Sequence, residues 1–146
     1  MTGVQTCALP ICYAALQSGV VAPELYKAIV AIAPVSDLTQ FRTELKDRVG
    51  TSYARDDVGT GPHLVEGSPA ANAARITVPV LLAHGDLDQN VGIAASRLMD
   101  QRLKAAGKRV ELLVYPGLQH SLIDNTVRAD LLRRSDAFLR ASMGMK

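Results

Sequence analysis

The 146-residue sequence has no tryptophan, only two cysteines, and no apolar run near the roughly 20 residues that a membrane-spanning helix requires. Both cysteines, Cys7 and Cys12, lie in one short N-terminal stretch, so the sequence supports no disulfide framework. No His or Cys pair has the spacing of a zinc site, and we expect neither a metal nor an organic cofactor. An excess of one charge is also lacking, since 16 basic and 14 acidic residues are spread without a run. This balance argues against a nucleic-acid partner.

Apolar residues are abundant: hydrophobic residues make up 48% of the chain and charged residues 21%. This composition excludes a disordered tail or a collagen-like repeat. A chain of this length with that apolar fraction suits one globular domain with a buried core.

Residues 1–12, MTGVQTCALPIC, differ in character from the rest of the chain. They lack the basic start and the apolar core of about 7–15 residues that a secretory signal needs. Residues 1–11 are similar to the translation of a common sequencing adapter, and a junction codon accounts for Cys12. We therefore expect an artefactual leader over residues 1–12, and exclude it from the fold prediction. The alternative is an ordinary strand and turn.

Three short apolar runs predict β-strands. Residues 28–33 (AIVAIA) and 78–83 (VPVLLA) have the continuous apolar pattern of strands buried on both faces. Residues 110–115 (VELLVY) form the third run, which Pro116 and Gly117 close.

Helical patterns lie between these runs, and residues 50–67, rich in Gly, Asp and Thr, predict an excursion loop. The alternation of strands and helices predicts a parallel α/β sheet with right-handed crossovers. The predicted helices are residues 13–18, ending around Gly19 and Pro23; part of 37–49; a short one with Ser68 as N-cap and Pro69 at its first position; 91–106; and a last one capped by Asp124 or Asn125.

Two chemically capable residues follow neighbouring strands. Asp88 comes shortly after the 78–83 strand, and His120 shortly after the 110–115 strand. In a parallel sheet both loops lie past the carboxyl ends, so the carboxylate could orient the imidazole as a nucleophile–base–acid triad requires. A loop histidine is more often a surface residue, and an aspartate after a strand is more often a turn former. Position alone leaves both roles open.

Four motifs stand out: Tyr13-Ala14-Ala15-Leu16; residues 31–37 (AIAPVSD); HGxxDxxV over residues 84–91; and YPGxxH over residues 115–120. Together they resemble the C-terminal part of the catalytic domain of the prolyl oligopeptidase family of serine peptidases. The resemblance implies a fold of the α/β class. Residues 13–146 would form the truncated C-terminal portion of an α/β-hydrolase fold, with three parallel strands and flanking helices. Ser121 and Leu122 depart from the glycine and aromatic residue that often follow the family's histidine.

The resemblance also implies roles for the residues of these motifs. Asp88 corresponds to the acid of a Ser–Asp–His triad and His120 to its base. His84 and Gly85 would shape the turn that presents Asp88, without transferring a proton. Asp86 is the rival acid, and its place in the motif favours a loop residue.

The family's nucleophile is missing from its expected place. It lies in a G-x-S-x-G-G-Y-A-A elbow, a sharp turn between a strand and a helix. Aligned on Tyr13, the second of the paired glycines falls on Cys12 and the serine falls on Leu9. Leu9 carries no nucleophile, and Pro10 is incompatible with the turn. We therefore expect this chain to be an inactive fragment of a serine peptidase.

Ser52 is a second candidate nucleophile, since Gly50-Thr51-Ser52-Tyr53-Ala54 has an elbow-like pattern ahead of Asp88 and His120. The charged residues 44–48 before it cannot form the buried strand that an elbow needs, which argues against this role.

The expected function is hydrolysis of a peptide substrate. One alternative keeps the fold as an esterase or acyl hydrolase, because the same triad serves both ester and amide. Another is a non-catalytic α/β binding module, but neither G-x-G-x-x-G nor G-x-x-x-x-G-K-[ST] occurs in the chain. Nothing in the sequence indicates an oligomeric state or a compartment.

Overall fold

The computed structural model describes residues 8–145, and three parallel strands form its sheet. The strands are β1 (Ile29–Ile32), β2 (Val80–Gly85) and β3 (Val110–Tyr115), in the spatial order β1-β2-β3. Residues Ile29, Val80 and Val110 lie side by side across the sheet. The predicted number of strands and their parallel direction are thus confirmed. β3 has the predicted bounds, whereas β1 lies within the predicted run 28–33 and β2 is shifted from the predicted run 78–83 toward Gly85.

Six α-helices and two short 3-10 helices are described around this sheet. Asp37 and Asp124 cap two of them, since their carboxylates accept hydrogen bonds from Gln40 N and Val127 N at 2.8 Å. Of the two residues predicted to cap the last helix, Asp124 or Asn125, the structure shows Asp124 in that place. The α-helices are α1 (Ala8–Val21), α2 (Leu38–Val49), α3 (Thr51–Val58), α4 (His63–Glu66), α5 (Ala94–Ala105) and α6 (Asn125–Met143); the 3-10 helices are Pro23–Leu25 and Ala73–Arg75.

Both faces of the sheet are covered, by side chains that alternate along the strands. On one face, β-strand residues pack with Leu16 and Val20 of α1 and with Met99 and Leu103 of α5. On the other face, Ala83, Leu113 and Tyr115 pack with Leu122 and with Leu131 of α6. The result is the three-layer arrangement of an α/β fold.

The strands differ in burial. β2 is buried along its whole length, as predicted, because it has a strand on each side and helices on both faces. β1 was predicted to be buried on both faces, but it alternates between buried and half-buried residues. Among the described elements, β1 has a neighbouring strand on one side only. Fewer side chains therefore lie beside its own, and Val30 and Ile32 are half-buried.

The loop prediction for residues 50–67 is wrong, because α3 and α4 lie there. The glycines that suggested a loop mark helix boundaries. Gly50 precedes α3 with φ +96° and Gly59 follows it with φ +80°, conformations that favour glycine. Between them, Ala54 is buried and secures α3 in the structure.

Two further predicted boundaries differ from the structure. α1 continues through Gly19 to Val21, and a Cβ at Gly19 would overlap Ile29 Cδ1, so this glycine permits close packing of α1 on β1. The predicted helix capped by Ser68 is a series of turns before the 3-10 helix at Ala73–Arg75. The Ser68 hydroxyl instead accepts from Leu38 N at 2.8 Å and donates to Leu64 O at 2.5 Å.

The predicted leader over residues 1–12 falls largely outside the described residues. Its last part, residues 8–12, begins α1, so the alternative of an ordinary strand and turn does not describe these residues. The helices that the structure describes include none with the length and apolar character to cross a membrane.

Candidate active site

The loops that follow β2 and β3 are joined directly. Gly85 and Tyr115, the last residues of these strands, are paired across the sheet. Beyond them, Leu87 N donates to Leu118 O at 3.0 Å, and Gly117 N donates to the Asp86 carboxylate at 2.7 Å. Asp86, the rival acid, therefore braces the neighbouring loop.

Gly85 allows the two loops to lie this close. A Cβ at this position would overlap Leu118 O and would lie 2.8 Å from Leu118 C and 2.9 Å from Gln119 O. These are backbone atoms of the segment that leads into His120, so they cannot move aside as a flexible side chain could. The small residue at the end of β2 thus sets the distance between the two candidate residues.

Asp88 and His120 meet at this edge of the sheet. His120 Nδ1 lies 2.6 Å from Asp88 Oδ2, a short hydrogen bond to a carboxylate. The Asp88 side chain is fully buried, whereas 12% of the His120 side chain is exposed. The second oxygen, Oδ1, accepts from Asn90 N at 2.8 Å and from Val91 N at 3.0 Å. The structure therefore brings together the two residues that the sequence singled out.

His84 also contacts the carboxylate. Its side chain is completely buried near the end of β2, with Nε2 lying 3.2 Å from Asp88 Oδ2 and 2.9 Å from Val91 O. Its other ring nitrogen, Nδ1, lies 2.7 Å from the hydroxyl of Ser96 in α5, which is also buried. The sequence placed His84 in the turn but gave no sign of these side-chain contacts, because Ser96 lies twelve residues away on a helix.

These contacts keep the Asp88 carboxylate ionised. Burial alone would raise its pKa, but hydrogen bonds from His84, Val91 N, His120 and Asn90 N outweigh this effect and lower the pKa of Asp88 to about 2. A carboxylate with this pKa is charged throughout the neutral range. It can therefore orient an imidazole and stabilise its protonated form.

The structure also locates Leu9 and Ser52, the two positions considered for a nucleophile, and the thiol of Cys12. Leu9 lies in α1, which begins at Ala8. Burial raises the pKa of the half-buried Cys12 thiol, against the lowering effect of a backbone hydrogen bond at Ile32, so this cysteine favours the protonated, weakly nucleophilic form. Ser52 is exposed in α3 and follows α2, so it does not lie on a turn between a strand and a helix.

An apolar cavity of about 570 Å³ lies beside the loop that carries Asp88. Asn90, whose backbone binds Asp88, forms part of its wall. The sequence analysis missed this cavity, because its walls come from four separated segments and no single segment carries a motif. Its other lining residues are Tyr13, Val35, Leu38, Phe41, Leu45, Arg48, Tyr53, Asp57 and Val58.

No cluster of three or more His, Cys, Asp or Glu side chains able to hold a metal ion occurs within residues 8–145. His84, Asp88 and His120 are instead joined to one another by hydrogen bonds. A buried acid paired with a partly exposed histidine is suited to general acid–base chemistry at the His120 ring.

Comparisons with known proteins show which family and which proteins the chain is similar to. The model of the prolyl oligopeptidase family matches residues 13–146. The chain is 27% identical over 131 residues to the human acylamino-acid-releasing enzyme, covering 84% of this chain and 18% of that protein. It is 38% identical over 77 residues to a monoacylglycerol lipase of Mycolicibacterium smegmatis, covering 53% of this chain and 25% of the lipase.

A similar fold occurs in the crystal structure of Porphyromonas gingivalis dipeptidyl peptidase 4. The TM-score is 0.75 at 23% identity, covering 88% of this chain and 18% of that chain. This chain thus spans only 18% to 25% of the length of these two curated relatives. The structural likeness agrees with the predicted partial α/β-hydrolase fold.

Proposed function

Because the chain belongs to the prolyl oligopeptidase family, we propose that it carries the acid and base of a serine peptidase that hydrolyses peptide substrates. Asp88 is the acid and His120 is the base of a Ser–Asp–His triad. The observation that carries this assignment is the 2.6 Å contact between His120 Nδ1 and the buried Asp88 carboxylate.

The contact assigns different roles to the two nitrogens of the His120 ring. Since Nδ1 donates to Asp88, Nε2 is the ring nitrogen that can exchange a proton. During acylation, Nε2 takes the proton of the attacking serine hydroxyl and then gives it to the leaving amine. Asp88 remains ionised and stabilises the imidazolium that forms between these two steps.

The nucleophile of this triad is absent at its place in the family motif, which falls on Leu9. We propose that residues 1–12 are an artefactual leader and that residues 13–146 are part of an α/β-hydrolase domain. The chain as it stands then has no covalent catalysis. The next place in the motif falls on Pro10, which has no backbone N–H, whereas in such enzymes the N–H at that place supplies one donor of the oxyanion hole.

The apolar cavity beside Asn90 is the proposed site for a substrate side chain. Val35, Leu38, Phe41 and Leu45 supply apolar walls, and Asn90 connects the cavity to the loop of the catalytic acid. A volume of about 570 Å³ exceeds that of one amino-acid side chain, so the cavity admits aliphatic and aromatic residues. We expect preference for an apolar residue next to the cleaved bond.

The test uses a longer relative that has the serine elbow together with the HGxxDxxV and YPGxxH motifs. Replacing its aspartate equivalent to Asp88 by Asn should lower kcat by about 10⁴-fold, because the histidine then adopts the wrong tautomer. The equivalent of Asp86 is the matched control, and its replacement by Asn should leave kcat within a few-fold. A relative that keeps full activity after the first substitution would refute the assignment.

A second candidate function is hydrolysis of acyl esters, favoured by the 38% identity to a monoacylglycerol lipase over 77 residues. The acid and base would act in the same way on an ester. Comparing kcat/KM for matched peptide and ester substrates in the same longer relative separates the two functions. A large preference for the ester with no amide turnover would favour the esterase.

A further inference from the structure

We propose that His84, oriented by Ser96, is a positioning residue that fixes the Asp88 carboxylate for its contact with His120. The inference deepens the proposed function, since it rests on the roles of Asp88 and His120. It gives His84 a specific role, holding the Asp88 carboxylate in place, that the motif alone does not define. Its basis is a continuous chain of contacts from Ser96 through His84 and Asp88 to His120.

The contacts of His84 determine which ring nitrogen carries its proton. Nε2 faces Val91 O at 2.9 Å and Asp88 Oδ2 at 3.2 Å, and both of these atoms accept hydrogen bonds. A bare Nε2 would repel both oxygens, so Nε2 carries a hydrogen. In the neutral ring, Nδ1 is then an acceptor, and the Ser96 hydroxyl at 2.7 Å donates to it. Ser96 therefore stabilises the tautomer that can donate to Asp88.

The geometry at Asp88 gives His84 a specific effect on His120. Both histidines contact the same oxygen, His120 at 2.6 Å and His84 at 3.2 Å. Two backbone N–H groups hold the other oxygen. If only these two N–H groups held it, the carboxyl group could still rotate about the Cβ–Cγ bond, because both of them bind Oδ1. His84 opposes this movement from the Oδ2 side, and so keeps that oxygen in line with His120.

A residue that only filled space in the core would not need the hydrogen bonds that His84 makes. His84, Ser96 and the Asp88 side chain are all fully buried, and burying polar groups is costly unless they are hydrogen-bonded. An apolar residue of similar size could fill the same space at the end of β2. The polar chain has an effect that such a residue would lack, since it places one additional donor on the carboxylate.

The first experiment reads the His84 tautomer by ¹⁵N NMR of the unaltered chain. We expect the proton on Nε2 and a bare Nδ1. The opposite tautomer would overturn the proposal, because Nε2 could then not donate to Asp88. This measurement needs neither a variant nor catalytic activity.

The second experiment follows the pKa of Asp88 through its carboxyl ¹³C signal. In His84→Leu the carboxylate loses a hydrogen-bond donor, so the pKa of Asp88 should rise by about one pH unit. His84→Gln retains an N–H donor on a side chain of similar reach and should give a smaller rise. The Nδ1 proton signal of His120 should broaden in His84→Leu and recover in part in His84→Gln. An unchanged pKa and an unchanged Nδ1 signal in His84→Leu would refute the proposal.

A matched pair of serine variants decides the question if His84→Leu fails to fold. Ser96→Ala removes the hydrogen bond to His84 Nδ1, so the His84 ring is held less firmly and the Nδ1 proton signal of His120 should broaden. Ser36→Ala is the control, because Ser36 is equally buried and donates to Ala95 O in the same helix. The control should leave the His84 tautomer and the His120 signal unchanged. Equal effects of the two variants would show a general loss of packing and overturn the proposal.

These outcomes are separate from the proposed function. If the longer relative keeps its activity without its aspartate, the triad assignment fails even where the NMR results match expectation. If the NMR results contradict expectation while that aspartate is essential, only the role of His84 fails.

Discussion

Asp88 combines a buried position with a negative charge, a combination that proteins stabilise with several donors. Its two carboxylate oxygens receive hydrogen bonds from two backbone N–H groups and two histidines. The loop after β2 therefore turns so that the N–H groups of Asn90 and Val91 point back toward Asp88. The acid is therefore held by its own loop and by both neighbouring segments.

The low pKa of Asp88 predicts a loss of stability in acid. Its pKa is about 2 in the folded chain against an ordinary 3.8, so folding favours the ionised form. The stabilisation is complete above about pH 4 and is lost as the pH falls toward about 2, and it amounts to about 2 kcal/mol. Urea unfolding at pH 6 and pH 2.5 should show the difference between the chain and Asp88→Asn shrinking in acid.

The control for this experiment is Asp47→Asn, which removes one negative charge from an exposed position in α2. Its difference from the unaltered chain should not follow the pattern of Asp88→Asn. A stability difference for Asp88→Asn that stays constant between the two pH values would contradict the low pKa.

Gly85→Ala should disturb the site without altering any polar group. The added Cβ would meet backbone atoms of Leu118 and Gln119, so the loop before His120 must shift. We expect destabilisation by about 1–3 kcal/mol, typical of overpacking, and loss of the sharp His120 Nδ1 proton signal. Gly92→Ala is the control, since its Cβ would lie 3.4 Å from Glu44 Oε1, an ordinary contact. Equal destabilisation by both variants would show that Gly85 has no specific role in the packing of the two loops.

At the residue scale, the sequence predicted where Asp88 and His120 lie, because both follow strands with clear apolar patterns. It could not predict the donors around Asp88, since the contact to His84 depends on the path of the loop between them. The partner of His84 comes from a helix, and no sequence spacing links the end of a strand to one turn of the following helix.

At the scale of elements, the strands were predictable because continuous apolar runs mark them, whereas residues 50–67 were not. α3 and α4 are only eight and four residues long, and glycines bound them. Helices this short have little intrinsic stability and depend on tertiary contacts such as those of Ala54 and Leu64. The cavity beside Asn90 went unpredicted for the same reason, because Tyr53 and Val58 of α3 form part of its wall.

The cap of α6 is the element-level feature with the clearest test. Asp124 accepts from Val127 N at 2.8 Å and begins the helix four residues after His120. Asp124→Ala removes this acceptor and should lower the free energy of unfolding by about 1 kcal/mol. Asp124→Asn keeps a capping oxygen and should lose much less. Urea titration of the three proteins measures this difference, and equal losses in both variants would argue against the cap.

At the scale of the whole molecule, the described fold brings the Asp88 carboxylate, the His120 imidazole and an apolar cavity together at one edge of a parallel sheet. Such sheets place ligands past the carboxyl ends of their strands, which is where Asp88 and His120 lie. A nucleophile activated by His120 would need to lie within hydrogen-bonding reach of its ring. Within the part of the chain that the structure describes, no serine hydroxyl makes a hydrogen bond to His120.

A fluorophosphonate probe should therefore leave this chain unlabelled, as intact-mass spectrometry would show. The probe reacts with a serine that a neighbouring base activates. Leu9 occupies the proposed place of that serine, and Ser52 is exposed on α3, away from any turn between a strand and a helix. A longer relative with an intact elbow is the positive control and should label stoichiometrically. Stoichiometric labelling of this chain that disappears in His120→Ala would contradict the prediction. Ser52→Ala would then show whether Ser52 is the residue that reacts.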